Sequence, residues 1–363
     1  MNNNSKISNL QFSTLLIFPI LSLFSGIGLY DLIKIAEIDA YISTIIAFGL
    51  GFIVIFIFLS IFNYKKDLSL PEKNKDLFGK FFGTIINYII CGLMVIVGVC
   101  LIYSISNFIV SQFLAKTPIW IVLLFLGLVV IYNVTKGIEV ISRTGIIFIV
   151  LIICLTIIST LGLISFFDIS NLKPFLVDGI TPPLKAGGFL TLTNIVPIFL
   201  LLIIPKNHVA DNKKVTKGII IAYMISMLFV FTSTILTVSV LGIHLLKIFP
   251  HPEYMVLKKI ALLGFAERIE NFIYVKWLLN DFISFALIIY FISNNIKKKN
   301  KQKVIPSLVM VLILVLSQVL FKDNTEFKWF VLNVYPYLNL LLLIIFVIIF
   351  INIMVRKLIE KET

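Results

Sequence analysis

The chain has 363 residues, of which 60% are hydrophobic, and its mean hydropathy is +1.07. This composition excludes a water-soluble globular protein, in which only about half of the residues are apolar. The net charge of +13 does not indicate nucleic-acid binding, because the basic residues are spread among the ends of apolar stretches, where they set topology and contact anionic membrane lipids.

About ten apolar stretches of bilayer-crossing length follow one another along the chain. A helix needs about 20 apolar residues to cross a hydrocarbon core of about 30 Å. The predicted spans are 10–30, 41–62, 84–113, 119–132, 145–167, 187–204, 218–246, 272–296, 304–321 and 331–355. The loops between them are mostly short, so the sequence predicts an all-α polytopic membrane protein with a single transmembrane domain, residues 1–363.

The positions of Lys and Arg indicate the orientation of these spans. With the N-terminus inside, the inner segments hold 20 of the 31 basic residues, and the loop 297–303 alone contributes five. One of these inner segments, 63–80, is predicted to be an ordinary cytoplasmic linker. Cytoplasmic segments of membrane proteins carry an excess of Lys and Arg. We therefore expect a multi-pass protein of the cell membrane with both termini in the cytoplasm.

Two of the predicted spans, the first and the sixth, contain helix-weakening residues. These are Gly26, Ile27 and Gly28 in the first span and Thr191, Thr193, Asn194 and Pro197 in the sixth. Breaks in the first and sixth of ten helices are typical of an inverted five-helix repeat, here about 8–167 and about 184–355, in which freed backbone groups can hold a small charged solute. Gly and Pro also serve packing and kinking alone in membrane helices, so the spacing leaves both interpretations open.

The eighth span carries a carboxylate, Asp281, next to Asn280. A carboxylate near the bilayer centre costs about 2.5 to 3.5 kcal/mol on insertion scales, so it faces a cavity or a partner. Asp281 is expected to bind a substrate ammonium group or a proton, or else to form a hydrogen bond with a neighbouring helix such as the one carrying Tyr103. Lys276, one turn earlier, is expected to extend outward to the membrane surface.

The outer loop 244–270 contains a helical pattern. Its apolar stripe consists of Tyr254, Leu257, Ile260 and Ala261, flanked by Lys258 and Lys259. The pattern predicts a short amphipathic helix, which either covers the outer mouth of the bundle as a lid or rests on lipid headgroups.

The sequence contains no recognisable catalytic set. His208, His244 and His251 stand without neighbouring triad or metal-ligand patterns, and no phosphate-binding glycine loop is present. We therefore predict that the protein is not an enzyme and uses no cofactor and no metal.

Several short motifs, taken in order, resemble those of the spore-germination permeases. They are Cys91-Gly92, Thr117-Pro118-Ile119, the Gly-x-x-x-x-Ser-Arg run 137–143, the Asn-Leu-Lys-Pro loop 171–174, Phe249-Pro250, the Phe-x-Glu-Arg-x-Glu run 265–270 and Trp277. No single motif is decisive, but the ordered set extends from about residue 8 to the C-terminus.

The resemblance implies a fold and a function. The family belongs to the amino acid–polyamine–organocation superfamily, with a LeuT-like arrangement of two inverted five-helix repeats and broken helices 1 and 6. Its members are the B subunits of germinant receptors, which act beside an A subunit and a lipoprotein C subunit in the spore inner membrane. They sense small nutrients such as amino acids and start germination. Two alternatives stay open: a secondary amino-acid permease, with or without proton coupling through Asp281, and a nutrient-gated ion-conducting subunit.

The chain also departs from the family pattern at two places. Ile33 stands near the position where members often have Pro after the first-helix glycines. In the sixth span Pro197, Ile198 and Phe199 precede Pro205, where a Gly and an acidic residue are common. The missing carboxylate predicts a more apolar pocket there.

The resulting expectation is a small solute between helices 1 and 6, walled by helices 3 and 8. Its predicted ligand-binding residues are Gly26, Ile27, Gly28, Val97, Gly98, Leu101, Thr193, Asn194, Pro197, Asn280 and Asp281. The glycines would admit a carboxylate to backbone N–H groups, and Asp281 would face an amine. Thr193 and Asn194 would add hydrogen bonds, and the third-helix residues would shape the side-chain end of the pocket.

Overall fold

A computed structural model describes residues 6–211, 214–249, 251–261, 271–296 and 304–362. Within these ranges thirteen α-helices occur. They are α1 Asn9–Ser22, α2 Leu29–Ala36, α3 Ala40–Asn63, α4 Leu70–Gln112, α5 Ile119–Lys136, α6 Ile138–Leu163, α7 Thr181–Leu190, α8 Val215–Ile248, α9 Pro252–Ala261, α10 Asn271–Asn295, α11 Val304–Leu320, α12 Asn324–Asn333 and α13 Tyr335–Glu362.

The helices confirm the prediction of an all-α polytopic membrane protein. Among the described residues, 8 helical segments are long and apolar enough to cross a membrane. Two shorter apolar helices, α1 with 14 residues and α11 with 17, join them. Together they give the expected set of about ten, with the predicted short fourth span forming the 18-residue helix α5.

The first and sixth membrane helices are both interrupted, as predicted, and the interruptions are π-helical turns. Phe24–Gly28 joins α1 to α2, and Thr191–Ile195 follows α7 and leads into the 3-10 helix Val196–Ile203. In the first turn the Gly28 N–H donates to the Leu23 carbonyl at 2.9 Å. The π winding therefore pairs a backbone donor that we had expected to be available to a solute.

The N-terminal and C-terminal parts of the chain lie at the same end of the bundle, which we call the terminal end. There they contact the loop after α3 and the loop before α8. Ile7 forms an isolated bridge with Val209. The Asp76 carboxylate accepts hydrogen bonds from Tyr64, Lys65 and Arg356. These contacts join α4, α13 and the loop after α3, and they close the bundle at this end.

The same Arg356 also satisfies backbone groups in a kinked helix. Gly79, at φ +79°, interrupts the helical path of α4. A break in a helix leaves the preceding carbonyls without their usual partners. The Arg356 guanidinium donates to the carbonyls of Asp76 and Leu77, each at 2.9 Å, so α13 caps the first segment of α4.

The segment 63–80, which we expected to be an ordinary cytoplasmic linker, becomes helical at Leu70. Ser69 and Glu72 form a capping box, and Pro71 stands in the first turn. Within this turn the buried Lys73 ammonium donates to the carbonyls of Ile61 and Phe62 at 2.8 and 3.3 Å. The start of α4 is therefore fastened to the end of α3.

A Lys73→Met variant is expected to lower thermal stability by several degrees. The change keeps the length of the side chain but removes the ammonium donor from both carbonyl groups, and among the described residues only the Ile61 carbonyl keeps another donor, the Tyr64 N–H at 3.2 Å. Loss of the donor to a buried polar group costs about 1–3 kcal/mol. Thermal unfolding of the purified protein in detergent measures the effect. The matched control is Lys75→Met, because Lys75 is exposed on the same turn. Equal melting temperatures for the two variants would contradict the structural role of Lys73.

Candidate functional site

The interrupted helices enclose a small cavity at the centre of the bundle, which we call the core cavity. It has about 10 Å³ of space for the centres of water molecules. Its lining residues are Pro19, Ser22, Leu23, Val97, Thr193, Pro197, Leu200, Ser284, Ile288 and Tyr335. Since about 10–15 Å³ holds one water, this cavity has room for about a single water molecule.

Part of the predicted ligand set meets at the core cavity. Val97, Thr193 and Pro197 line it together. Asn194 stands beside them: its Oδ1 accepts from the Thr193 hydroxyl at 2.7 Å, and its Nδ2 donates to the Ile20 carbonyl at 3.1 Å. Asn194 therefore ties helix 6 to helix 1.

The first-helix glycines lie close to this junction. A Cβ placed on Gly28 would be 2.8 Å from the Leu23 carbonyl oxygen and 3.7 Å from Asn194 Oδ1. The side chains of Gly26 and Ile27 fall outside the described part of the structure, although their backbone belongs to the π turn.

Four other predicted residues, Gly98, Leu101, Asn280 and Asp281, do not line the core cavity. Gly98 faces α10 and α11, since a Cβ there would meet Ile313 at 3.1 Å and Ile288 at 3.3 Å. Leu101 and Asp281 line a separate space of about 10 Å³ between α4, α5 and α10. The buried Asp281 Oδ1 accepts no hydrogen bond within the described ranges. Asn280 points elsewhere, because consecutive helical residues are about 100° apart around the axis.

A larger cavity lies at the opposite end of the bundle from the terminal end, beneath helix α9, and we call it the α9 cavity. It offers about 80 Å³ to the centres of water molecules, bounded by the first π turn, α6, α8, α9 and α10. Its polar lining consists of Ser25, Thr156, Ser159, Thr160, Thr232, Ser233, Thr237, Glu253, Lys276, Trp277 and Asn280. Sequence reasoning found only Asn280 of this set.

Glu253 fastens α9 over this cavity. The Ser233 hydroxyl donates to its Oε1 at 3.0 Å, and the Trp277 indole N–H donates to its Oε2 at 3.1 Å. Burial raises the pKa of the Glu253 carboxyl, and the Lys276 charge and the two hydrogen bonds oppose that shift. One residue of α9 thus binds both α8 and α10.

The described residues of the predicted apolar stripe of α9, Tyr254 and Leu257, are buried. Tyr254 is 5% exposed and Leu257 2%, and Tyr254 packs edge-on against Phe108 with ring centroids 5.8 Å apart. The exposed Lys258 ammonium lies 4.7 Å from the Tyr254 ring centre. The side chains of the other two predicted stripe residues, Ile260 and Ala261, lie outside the described residues.

Lys276, which we expected to extend outward, instead lines the α9 cavity. Lys276 and Asn280 stand four residues apart on α10, a spacing that places both side chains on one face of a helix. This spacing could have indicated from the sequence that Lys276 and Asn280 line the same space. In the described part of the chain, Lys276 has no carboxylate within 4.0 Å.

The α9 cavity is the more polar of the two cavities. In the described ranges no group of three or more His, Cys, Asp or Glu side chains is arranged to hold a metal ion. The α9 cavity combines one carboxylate, one ammonium and several hydroxyls, which suits recognition of a small polar molecule.

Comparison with known proteins identifies the family. A family described as "Spore germination protein" matches residues 6–327. Spore germination protein A2 of Bacillus subtilis is 28% identical over 294 residues, covering 79% of each chain. Spore germination protein KB of the same organism is 26% identical over 261 residues, covering 69% of this chain and 68% of the relative. Protein XB of Bacillus anthracis is 22% identical over 233 residues, covering 62% of this chain and 63% of the relative.

The fold also matches that of a solved transporter. The structure of a Na⁺-coupled sialic acid symporter, in a substrate-bound outward-open state, superposes with a TM-score of 0.68 at 12% identity. The match covers 96% of this chain and 79% of the symporter. It supports the LeuT-like arrangement with interrupted helices 1 and 6. With the family match spanning nearly all of its length, the chain belongs to the spore germination permease family.

Proposed function

We propose that the chain is the B subunit of a nutrient germinant receptor, which binds a small nutrient and signals germination without catalysing a reaction. The observation that carries this proposal is the pair of π interruptions joined by Asn194 at the core cavity, in a chain of the spore germination permease family. π turns in α-helices are frequently found at functional sites. A solute that separated helices 1 and 6 would have to break the Asn194 contact, which links ligand binding to helix movement.

The proposal includes a location and partners. The receptor lies in the spore inner membrane with both termini cytoplasmic, beside an A subunit and a lipoprotein C subunit. Lys65, Lys206 and Arg356 gather at the terminal end, which supports a cytoplasmic position for that end. The α9 end then faces outward, where a nutrient arrives.

The proposed ligand site is the core cavity with Val97, Thr193, Asn194 and Pro197, next to the glycine-containing π turn. Because the cavity has room for about one water, the site must widen by movement of helices 1 and 6 before a nutrient fits. Asp281 and Leu101 enter this proposal only as residues of the adjacent space between α4, α5 and α10.

A Thr193→Val variant tests the core site. Valine keeps the shape of threonine but removes the hydroxyl, whose one proton is within reach of both the Phe189 carbonyl and Asn194 Oδ1. The nutrient concentration for half-maximal germination is expected to rise roughly threefold to tenfold, since one hydrogen bond contributes about 0.5–1.5 kcal/mol. Germination of spores with receptor levels fixed by immunoblot provides the measurement.

Thr191→Val is the matched control. Thr191 is buried on the same π turn, but its hydroxyl donates to the Gly187 carbonyl within its own helix. An equal shift for both variants would show that Thr193 acts only through helix stability and would count against the core site.

Two further measurements separate the receptor from its alternatives. Saturable accumulation of labelled amino acid in vesicles containing the chain would identify a permease. A nutrient-evoked cation current in bilayers would identify a conducting subunit. For a signalling subunit we expect neither, together with a germination response that requires the A and C subunits.

A further inference from the structure

The α9 cavity is separated from the core cavity by helix α1. Ser22 and Leu23 face the core cavity, whereas Leu21, Phe24 and Ser25 face the α9 cavity. The two spaces therefore lie on opposite sides of one helix, and a ligand in one does not occupy the other.

Two side chains of opposite charge, Glu253 and Lys276, line the α9 cavity but do not form an ion pair with each other. The Glu253 carboxylate is 5% exposed and is held by neutral donors, Ser233 and Trp277. The Lys276 ammonium lines the same space, and none of the described carboxylates lies within 4.0 Å of it. Charges removed from water are costly unless they are paired, so the cavity favours a molecule that supplies both counter-charges.

Asn280 supplies an independent indication of a missing ligand. Its side chain is 3% exposed, and its Nδ2 donates to the Phe18 carbonyl at 3.3 Å. Its Oδ1 accepts no hydrogen bond from any described residue, although the residue lines the α9 cavity. An unsatisfied buried acceptor costs about 1–3 kcal/mol, and a donor from a ligand would remove that cost.

Hydroxyl groups in the wall also present acceptors. Thr156, Ser159 and Thr232 each donate to a backbone carbonyl one turn earlier in their own helices, at 2.7 Å. Because a hydroxyl has one proton and two lone pairs, these groups can still accept but have no free proton to donate. Such a wall matches an ammonium group, which only donates.

We propose that the α9 cavity is a second binding site, which takes a small zwitterion such as an α-amino acid. The ligand ammonium lies toward Glu253 and Asn280 Oδ1, and the ligand carboxylate lies toward Lys276. An anion alone leaves Glu253 without a counter-charge and Asn280 Oδ1 without a donor, and a cation alone leaves Lys276 without a counter-charge. The space of about 80 Å³ holds on the order of six waters, which corresponds to a molecule the size of L-alanine.

The three tryptophans of the chain allow this site to be observed separately from the core cavity. Trp277 lines the α9 cavity, while Trp120 and Trp329 are exposed on the surface of the bundle. In a Trp120→Phe, Trp329→Phe background, the emission of the full-length protein in nanodiscs reports from Trp277 alone. The probes are glycine, L-alanine, L-serine and L-valine, with lactate and isopropylamine as analogues that lack the ammonium and the carboxylate respectively.

In this background we expect a saturable change of Trp277 emission with at least one of the four amino acids and weaker effects of lactate and isopropylamine. Lys276→Met should raise the midpoint roughly tenfold to a hundredfold, since it removes a charge-assisted contact. Lys276→Arg should bind, which shows that a loss in Lys276→Met comes from the charge rather than from misfolding. The control is Lys258→Met on the exposed side of α9, which should leave the midpoint unchanged.

The outcomes that overturn the proposal are equally defined. They are the absence of a saturable change with all four amino acids, equal midpoints for Lys276→Met and Lys258→Met, or lactate acting as well as L-alanine. This second site stands apart from the proposed receptor function. Thr193→Val should leave the Trp277 titration unchanged, so failure of the core site and failure of the α9 site give different results.

Discussion

Spores whose receptor carries Gly28→Val are expected to give no response to nutrient at a normal receptor level. A Cβ at this position would lie 2.8 Å from the carbonyl oxygen of Leu23, which is backbone and cannot rotate aside. A β-branched side chain is also stiff at its first torsion. The π turn would have to rewind, and the Asn194 contact between helices 1 and 6 would move with it. Nutrient-triggered germination, normalised by immunoblot, measures the effect.

Gly49→Val is the matched control for this variant. Gly49 lies exposed on α3, and a Cβ there would meet nothing within 4 Å. The sequence suggested that a side chain at Gly28 would fill the solute's space, but the structure places the first collision within the helix itself. A normal response of Gly28→Val spores at normal receptor level would show that the interruption of helix 1 is not needed for signalling.

Leu257→Asp is expected to impair receptor response or assembly severely. Leu257 is 2% exposed and stands one turn after Glu253, so an aspartate would place a second carboxylate in the same buried region. Two like charges four residues apart repel each other, and a buried charge without a partner is costly. We expect α9 to leave its position, which amide hydrogen exchange of residues 252–261 would show as faster exchange.

Lys258→Glu is the comparison that makes this result interpretable. It also adds a negative charge to α9, but on the exposed side, where only the contact with the Tyr254 ring is lost. A small effect of Lys258→Glu beside a large effect of Leu257→Asp identifies α9 as a packed lid. Equal and negligible effects of the two variants would make α9 a mere surface helix.

The helices and their two interruptions could be predicted because they depend on local sequence. Long apolar runs give the spans, and Gly28 and Pro197 weaken the helices where the interruptions occur. The π winding could not be predicted, because it depends on whether the Gly28 N–H donates to the carbonyl four or five residues earlier. The capping box of Ser69 and Glu72 could have been recognised from the spacing of the two residues. It begins helix α4 within the segment that we had predicted to be a linker.

The site was harder to predict because it depends on the direction of each side chain. Asn280 and Asp281 are neighbours in sequence, yet Asn280 lines the α9 cavity and Asp281 lies toward α4 and α5. Gly98 was expected to shape a pocket and instead lets α10 and α11 approach α4. The position of Lys276 depends on α9, which is held by contacts between residues about 20 apart in sequence.

Helix α1 is a wall common to the core cavity and the α9 cavity, and this has a thermodynamic consequence. If filling one cavity changes the position of α1, the free energy of filling the other must change as well. Linkage makes the effect reciprocal: the factor by which a core ligand alters amino-acid affinity beneath α9 equals the factor for the reverse effect. Two compounds titrated together would therefore yield one coupling free energy, whichever is added first. Its sign would show whether each ligand strengthens or weakens the binding of the other, although the two share no contact atoms.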